Sequence, residues 1–267
     1  MWSGHPLSSL DPELFRTYFQ TNLDKLEANG VQLAAIEMGN EINWAAFNAE
    51  FPVPGNGKGV LSLDDLYHHD PEGQQIAKGY LQYLKILAVA KDIRDHSKLN
   101  RHTPILTAGL MDAEAGDIPA SRRVEAVSFS ATLDFMRANG LDQLVDGYGI
   151  HVYPNSNPAT PAAKRWEALE QETFVKECRP LGSTEGKPCW ITEWGIQNMD
   201  KSCPPHENDR LLVIRQVRDI FYQYVQQGRI RGLFYFTWGS DAKQPDPYSV
   251  YRCGALTQSG RLAIAPM

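Results

Sequence analysis

Apolar positions along the chain follow a helical spacing and an extended spacing in turn. In residues 11–29, apolar side chains recur one, three and four positions apart, the pattern of an amphipathic helix. Asn29-Gly30 suits the end of that helix, because glycine adopts the left-handed conformation found there. A nearly continuous apolar run at 31–37 then predicts a parallel strand buried on both faces.

The same order of helix, stop and apolar strand occurs five times. This alternation predicts an α/β fold with a parallel sheet. No linker or low-complexity stretch interrupts it, so we predict a single domain over 1–267. The further helices are expected at about 74–96, 123–138, 162–178 and 208–227, and the further strands at 104–109, 145–152, 189–193 and 230–238.

The segments that follow the predicted strands are long and rich in glycine, proline and aromatic residues, whereas most segments between a helix and a strand are short. In α/β folds the functional site lies at the carboxyl ends of the strands. These long loops therefore indicate the working face. They cover 42–73, 110–122, 153–161, 194–207 and 239–260.

Two glutamates, Glu41 and Glu193, stand at the carboxyl ends of different predicted strands, each near a tryptophan. A carboxylate there is costly to desolvate unless it is paired or functional. A structural glutamate satisfied by arginine or backbone is the alternative for either one. Two such residues in equivalent positions favour a functional pair.

Four segments, in order and at strand ends, resemble clan A glycoside hydrolases, the retaining (β/α)8-barrel enzymes that include families 5, 39 and 53. The resemblance covers roughly residues 31–260 and implies a TIM-type barrel fold. The segments are Gly39-Asn40-Glu41, Gly149-Ile150-His151-Val152-Tyr153-Pro154, Trp190-Ile191-Thr192-Glu193-Trp194-Gly195 and Phe234-Tyr235-Phe236-Thr237-Trp238.

The resemblance implies a role for each matching position. Glu41 would be the general acid/base and Glu193 the nucleophile. Asn40 would hydrogen-bond the sugar 2-hydroxyl, while His151 and Tyr153 would orient or bond the two carboxylates. Each of the last three has a structural alternative: a turn residue, a packed strand histidine and a loop anchor.

Three tryptophans are candidate sugar contacts. The resemblance implies that Trp238 is the platform beneath the sugar, with core packing as its alternative. Trp44 and Trp194 either stack on sugars or pack the rim of the site. The flat apolar face of an indole suits the C–H side of a sugar ring.

The chemistry of glycoside cleavage is consistent with this set. The transition state resembles an oxocarbenium ion, so the reaction needs one protonated carboxyl for the leaving oxygen and one ionised carboxylate to attack. Tyr153 and His151 could give hydrogen bonds that favour the ionised form of their carboxylate partner.

The family pattern places three strands before the one at 31–37, but only 30 residues precede it. The predicted fold class is therefore an incomplete (β/α)8 barrel with about five parallel strands. Open sheet edges favour pairing with another chain, so we expect a homo-oligomer that closes the gap. The alternative is a fragment of a longer enzyme.

Composition and charge argue against several classes of binding partner. The formal net charge is −6, which argues against nucleic acid or an anionic membrane. No apolar run is long enough for a transmembrane helix, and the start of the chain does not resemble a secretory signal. No P-loop, Gly-x-Ser-x-Gly or metal-ligand cluster is present, so no cofactor or metal is expected.

The four cysteines leave the compartment open. Cys203 and Cys253 fall in loops on the same predicted face, and Cys178 and Cys189 flank a helix-to-strand turn, so two bridges are plausible. Four free thiols are the alternative. Paired cysteines would favour a secreted or periplasmic location over a cytoplasmic one.

The first hypothesis is thus a retaining hydrolase of β-linked glycosides. The second is a carbohydrate-binding protein with little or no turnover, because part of the barrel is absent. A metal-dependent barrel enzyme is a weaker third, for want of a ligand cluster.

Overall fold

The computed structural model describes residues 6–51, 59–113, 125–161, 163–164, 167, 173–239 and 246–267. These form two compact units, one over 1–149 and one over 150–267. The predicted single domain is not tested by this division and stays a prediction. Within the described residues, no helix is both long enough and apolar enough to span a bilayer.

The described residues of the first unit include three α-helices and five short strands. The helices begin at capping carboxylates or hydroxyls: Asp11 accepts from Glu13 and Leu14, Asp70 from Glu72 and Gly73, and Ser128 from Ala131. The elements are α1 (Pro12–Ala28), α2 (Pro71–His96), α3 (Phe129–Ala138), β1 (Ile36–Glu37), β2 (Val60–Leu61), β3 (Ile105–Leu106), β4 (Leu110–Met111) and β5 (Ala126–Val127).

Helix α2 is the core element of this unit. Ile76, Tyr80, Leu87 and Ala90 are fully buried along it, spaced as one helix face requires. The short strands pair in parallel, β1 with β3 and β2 with β5.

Strand β6 (Tyr148–Val152) begins in the first unit and ends in the second. The second unit continues with β7 (Cys189–Trp194), α4 (Asn208–Gln226), β8 (Ile230–Tyr235), β9 (Tyr251–Arg252), β10 (Ala255–Leu256) and α5 (Gln258–Ala263). Strands β7 and β8 are parallel, and Thr192 donates to the carbonyl oxygen of Ile150 on β6. Strands β9 and β10 form an antiparallel pair.

The observed fold is therefore mixed α/β with parallel strand pairs, as predicted. A closed barrel is not found among the strands of the described residues. Of the predicted helix at 162–178, residues 162, 165–166 and 168–172 lie outside the described residues.

Several predicted elements are shorter than expected. The strands expected at 104–109, 145–152 and 230–238 are observed as Ile105–Leu106, Tyr148–Val152 and Ile230–Tyr235. The helix expected at 123–138 begins only at Phe129, because residues 126–127 pair with β2 and Ser128 caps the helix. The strand expected at 31–37 is limited to its last two residues. Before them, the backbone N–H of Leu33 bonds the side chain of Asn100 instead of a strand neighbour.

Both candidate disulfides are present. Cys178 bonds Cys189 across 11 residues, and Cys203 bonds Cys253 across 50. The alternative of four free thiols is therefore wrong.

Candidate active site

Glu41 lies in a turn just after β1 and is held by its own backbone. Its N–H donates to the carbonyl oxygen of Gly109 at 2.7 Å, and its carbonyl oxygen accepts from Trp44 at 2.9 Å. The side chain is buried. Its φ of 42° lies in the left-handed region, which costs a non-glycine residue about 1–2 kcal/mol. Such strain is concentrated at functional sites.

The neighbours of Glu41 divide into exposed and buried groups. Asn40 forms a parallel bridge with Gly109 and leaves its side chain exposed. Asn43 is fully buried, and its side-chain amide bonds the backbone of Met111 and Val127. Asn40 is thus available to a ligand, whereas Asn43 is a structural clamp.

Trp44 is half-buried beside the same turn. Its ring contacts Phe47, with centroids 5.4 Å apart, and its backbone bridges to Ala126. It therefore has both a packed side and an open side, which fits either of the alternatives given by the sequence.

Glu193 lies on β7 in the second unit, where side chains hold its carboxylate. The Tyr153 hydroxyl donates to Glu193 Oε2 at 2.5 Å, and His151 Nδ1 lies 3.6 Å from the same oxygen. His151 is buried on β6, while Glu193 is half-buried. The two predicted partners and the predicted nucleophile are thus together in this unit.

An aromatic cluster packs around Tyr153. Its ring meets Phe236 and Tyr248 edge-on, at centroid distances of 6.2 and 5.1 Å. Gly195 lies beneath the cluster: a Cβ there would come within 2.7 Å of both the Phe236 carbonyl oxygen and the Tyr248 ring. Only glycine therefore allows these aromatic groups to approach the backbone so closely.

Trp194 does not face the site. It is 1% exposed, and its indole packs edge-on against Phe221 of α4 and Tyr235 of β8. A side chain buried in this way cannot stack on a sugar. Of the two roles considered for it, the position corresponds to packing.

Trp238 has the opposite environment. It is 60% exposed, and its ring is stacked on Tyr251 with centroids 5.7 Å apart and planes 14° apart. The Trp238 carbonyl oxygen also accepts from the Tyr251 N–H at 2.7 Å. Tyr251 thus supports one face of the indole, which suits a sugar-stacking platform.

Sequence reasoning missed Tyr248, Gln197 and Arg210. Gln197 Nε2 donates to the Tyr248 hydroxyl at 2.8 Å. The buried guanidinium of Arg210 donates to the carbonyl oxygens of Tyr248 and Ser249. No motif marks these residues, because their roles arise from contacts between residues 38 to 51 positions apart in the sequence.

Arg210 also bonds the hydroxyl of Tyr235, whose pKa is raised because burial outweighs the opposing effect of the guanidinium. The protonated hydroxyl donates to the carbonyl oxygen of Ile196 and accepts from its N–H. The loop after Glu193 is therefore fixed at its first turn.

In the described part of the chain, no group of three or more His, Cys, Asp or Glu side chains is placed to hold a metal ion.

Comparisons with known proteins found structural likeness only. No protein-family model matches the chain, and no curated protein matches it by sequence. A fungal β-1,4-galactanase aligns at a TM-score of 0.55 and 15% identity, over 94% of this chain and 67% of that one. An agarase aligns at 0.50 and 12% identity, over 98% of this chain and 39% of that one.

A third structure, a GH128 endo-β-1,3-glucanase from Sorangium cellulosum, aligns at 0.49 and 18% identity, over 92% of this chain and 76% of that one. The galactanase and agarase alignments show that the chain has a fold like that of clan A glycoside hydrolases. The predicted resemblance is confirmed at the level of the fold.

Proposed function

We propose that the chain is a retaining glycoside hydrolase that cleaves β-linked glycosides by double displacement, on an incomplete TIM-type barrel. The observation that carries the proposal is the environment of Glu193. It is a half-buried carboxylate on a strand, with the Tyr153 hydroxyl and His151 imidazole directed at one oxygen. The other carboxylate oxygen remains for attack.

In the proposed first step, Glu193 attacks the anomeric carbon and the glycosidic C–O bond breaks. The bonding electrons go to the leaving oxygen, which takes a proton from Glu41. In the second step, the Glu41 carboxylate takes a proton from water, whose oxygen attacks the same carbon and releases Glu193. Retaining enzymes of this type place their carboxyl groups roughly 5–5.5 Å apart.

The binding residues follow from their exposure. Asn40 would bond the sugar 2-hydroxyl, an interaction that strengthens in the transition state. Trp238 would stack beneath the sugar and Trp44 would line the rim. Trp194 is not proposed as a sugar-binding residue, because it is buried.

The test is turnover of aryl β-xylosides, β-glucosides, β-galactosides and β-mannosides. β-1,4-Galactan and agar are added because the two aligned structures are a β-1,4-galactanase and an agarase. Glu193→Gln should abolish turnover, and Glu41→Gln should lower it about 10²–10⁴-fold on substrates whose leaving group needs a proton. Glu185→Gln, at an exposed loop position, is the matched control and should match the parent.

Covalent labelling identifies the nucleophile independently. A 2-deoxy-2-fluoro glycoside should label Glu193, as located by mass spectrometry of peptides. A label on another residue, or parental turnover by Glu193→Gln, would contradict the assignment.

Binding without turnover is the second candidate function. It is favoured by the exposed aromatic groups of the second unit: Phe234 is 47% exposed and stacks on Trp190, and Trp238 and Tyr251 are also open to solvent. Calorimetric binding of an oligosaccharide that is never cleaved would support this candidate over the first.

We further propose that a second copy of the chain covers the open side of the barrel. The apolar side chain of Phe234 projects into solvent from β8, and β8 pairs only with β7 among the described strands. Light scattering should then report a dimer or larger species, and a stable monomer would contradict this. The two disulfides support an extracellular or periplasmic location.

A further inference from the structure

We infer that Tyr248 is a positioning residue for the proposed nucleophile, acting through Tyr153. This inference rests on the proposed function of Glu193 and adds a residue to it. Tyr248 lies in the segment before β9, far in sequence from both. Its ring is 5.1 Å from the Tyr153 ring in an edge-to-face arrangement, a geometry favoured by the charge distribution of aromatic rings.

Three hydrogen bonds hold Tyr248 in place, so its ring can serve as a rigid packing surface. Its carbonyl oxygen accepts from the buried Arg210 at 2.6 Å. Its N–H donates to Asp246 at 2.8 Å, and its hydroxyl accepts from Gln197 at 2.8 Å. The two backbone contacts fix the position of the residue, and the Gln197 contact fixes the orientation of the ring.

Tyr153, in contrast, depends on neighbouring side chains to hold its ring in place. It follows β6 in a loop, and its hydroxyl must stay on Glu193 Oε2 for that hydrogen bond to persist. Tyr248 and Phe236 pack against the ring, and the absence of a Cβ at Gly195 lets all three approach. Removal of the Tyr248 ring would free Tyr153 to swing away from the carboxylate.

The loop after β7 takes part in the same arrangement. The Gln197 N–H donates to Ser156 Oγ at 2.9 Å while the Gln197 side chain bonds Tyr248. The residue four positions after Glu193 therefore ties the segment that carries Tyr153 to Tyr248. The geometry thus defines a chain from Gln197 through Tyr248 and Tyr153 to Glu193.

A double-mutant cycle tests this chain. Tyr153→Phe removes a hydrogen bond to a charged group, which is worth about 1.5–3 kcal/mol and so about 10- to 150-fold in kcat. Tyr248→Leu should lower kcat about tenfold through the same bond, with KM within about twofold of the parent. The double variant should then be no slower than Tyr153→Phe alone, because both changes remove one interaction.

Two further variants separate ring from hydroxyl and positioning from folding. Tyr248→Phe keeps the ring and should retain kcat within about threefold of the parent. Tyr222→Leu makes the same change at an exposed position on α4 and should leave kcat unchanged. Multiplied losses in the double variant, or parental kcat in a folded Tyr248→Leu, would overturn the inference.

A readout that needs no turnover keeps this inference separate from the proposed function. The Tyr153 hydroxyl proton, in its hydrogen bond to the Glu193 carboxylate, should give a downfield ¹H resonance that Tyr153→Phe removes. Tyr248→Leu should broaden or remove it, while Tyr222→Leu should not. Loss of the resonance in Tyr248→Leu, together with parental turnover by Glu193→Gln, would support the positioning of Tyr153 by Tyr248 and contradict the assignment of Glu193 as the nucleophile. A resonance that persists in Tyr248→Leu would contradict the positioning role itself.

Discussion

In the first unit, Glu41 lies in a turn held by main-chain hydrogen bonds, whereas in the second unit Glu193 lies within a strand and is held by side chains. The turn imposes a left-handed φ on Glu41. Glu193 lies within β7, between Ile191 and Trp194, where the register of pairing with β8 shifts. Its carboxylate is bonded by Tyr153. The main chain of Glu41 is thus fixed by the turn, and the carboxylate of Glu193 is fixed by the Tyr153 hydroxyl.

The two units also differ in the elements and links that stabilise them. The first has a long central helix with a buried apolar face and strands of two residues. The second has longer strands and both disulfides, whereas buried arginines bond loop carbonyl oxygens in both units. The loops of the second unit are therefore held by covalent links as well as by hydrogen bonds, and the two units should respond differently to substitution.

The largest expected effect comes from the disulfides of the second unit. In the chain-entropy description, the stabilisation grows with the loop that is closed. The sequence separation of 50 between Cys203 and Cys253 then corresponds to about 4 kcal/mol, and the separation of 11 between Cys178 and Cys189 to about 3 kcal/mol. Paired Cys→Ser variants should lose free energy of unfolding in that order, as measured by urea denaturation. An equal loss, or the reverse order, would mean that native packing and not loop closure sets the contribution.

A smaller effect, about 1 kcal/mol, tests the difference between the two glutamates. The quantity is the difference in stability between the Gly and Ala variants, and its sign should be opposite at the two positions. At position 41 the left-handed φ favours glycine, so Glu41→Gly should be more stable than Glu41→Ala by about 1 kcal/mol. At position 193 the backbone is a strand, so Glu193→Gly should be less stable than Glu193→Ala by about 0.5–1 kcal/mol. Thermal unfolding of the four variants gives both differences. The same sign at both positions would contradict the difference in backbone conformation between Glu41 and Glu193.

The contrast also explains what the sequence could predict. Periodicity and capping residues located α1, α2 and α4 within three residues of their observed ends, because local spacing and local hydrogen bonds decide them. The positions of the cysteines indicate both pairs as one of two alternatives, and the structure contains both bridges.

The rest depended on contacts distant in sequence. The strand β5 replaced the first turn of a predicted helix because it pairs with β2, some 66 residues earlier. Whether Trp194 and Trp238 face solvent could not be settled from their motifs, since α4 covers one and Tyr251 supports the other. Tyr248 was missed because its contacts come from Arg210 and Gln197, in separate segments.

The smallest expected effect compares carboxylates that hold loops together. In the first unit, Glu27 accepts backbone N–H bonds from Lys98, Leu99 and Asn100. Desolvation acts to raise its pKa, but these bonds outweigh it and lower the pKa from 4.5 to about 2. In the second unit, the N–H groups of His206 and Ser202 likewise hold the pKa of Asp200 below its usual range.

A lowered pKa contributes stability that is present above the unfolded value and lost as the pH falls through the folded value. Glu27→Gln should therefore lower the free energy of unfolding at pH 7, by less than about 1 kcal/mol because solvent screens the group. The deficit should shrink between pH 4.5 and about 2, where the parent carboxylate also becomes neutral. Thermal unfolding across this range measures it, with Glu13→Gln on the exposed start of α1 as the control. A deficit that persists unchanged at pH 2 would show that Glu27 supports the 98–100 loop by packing and not by its charge.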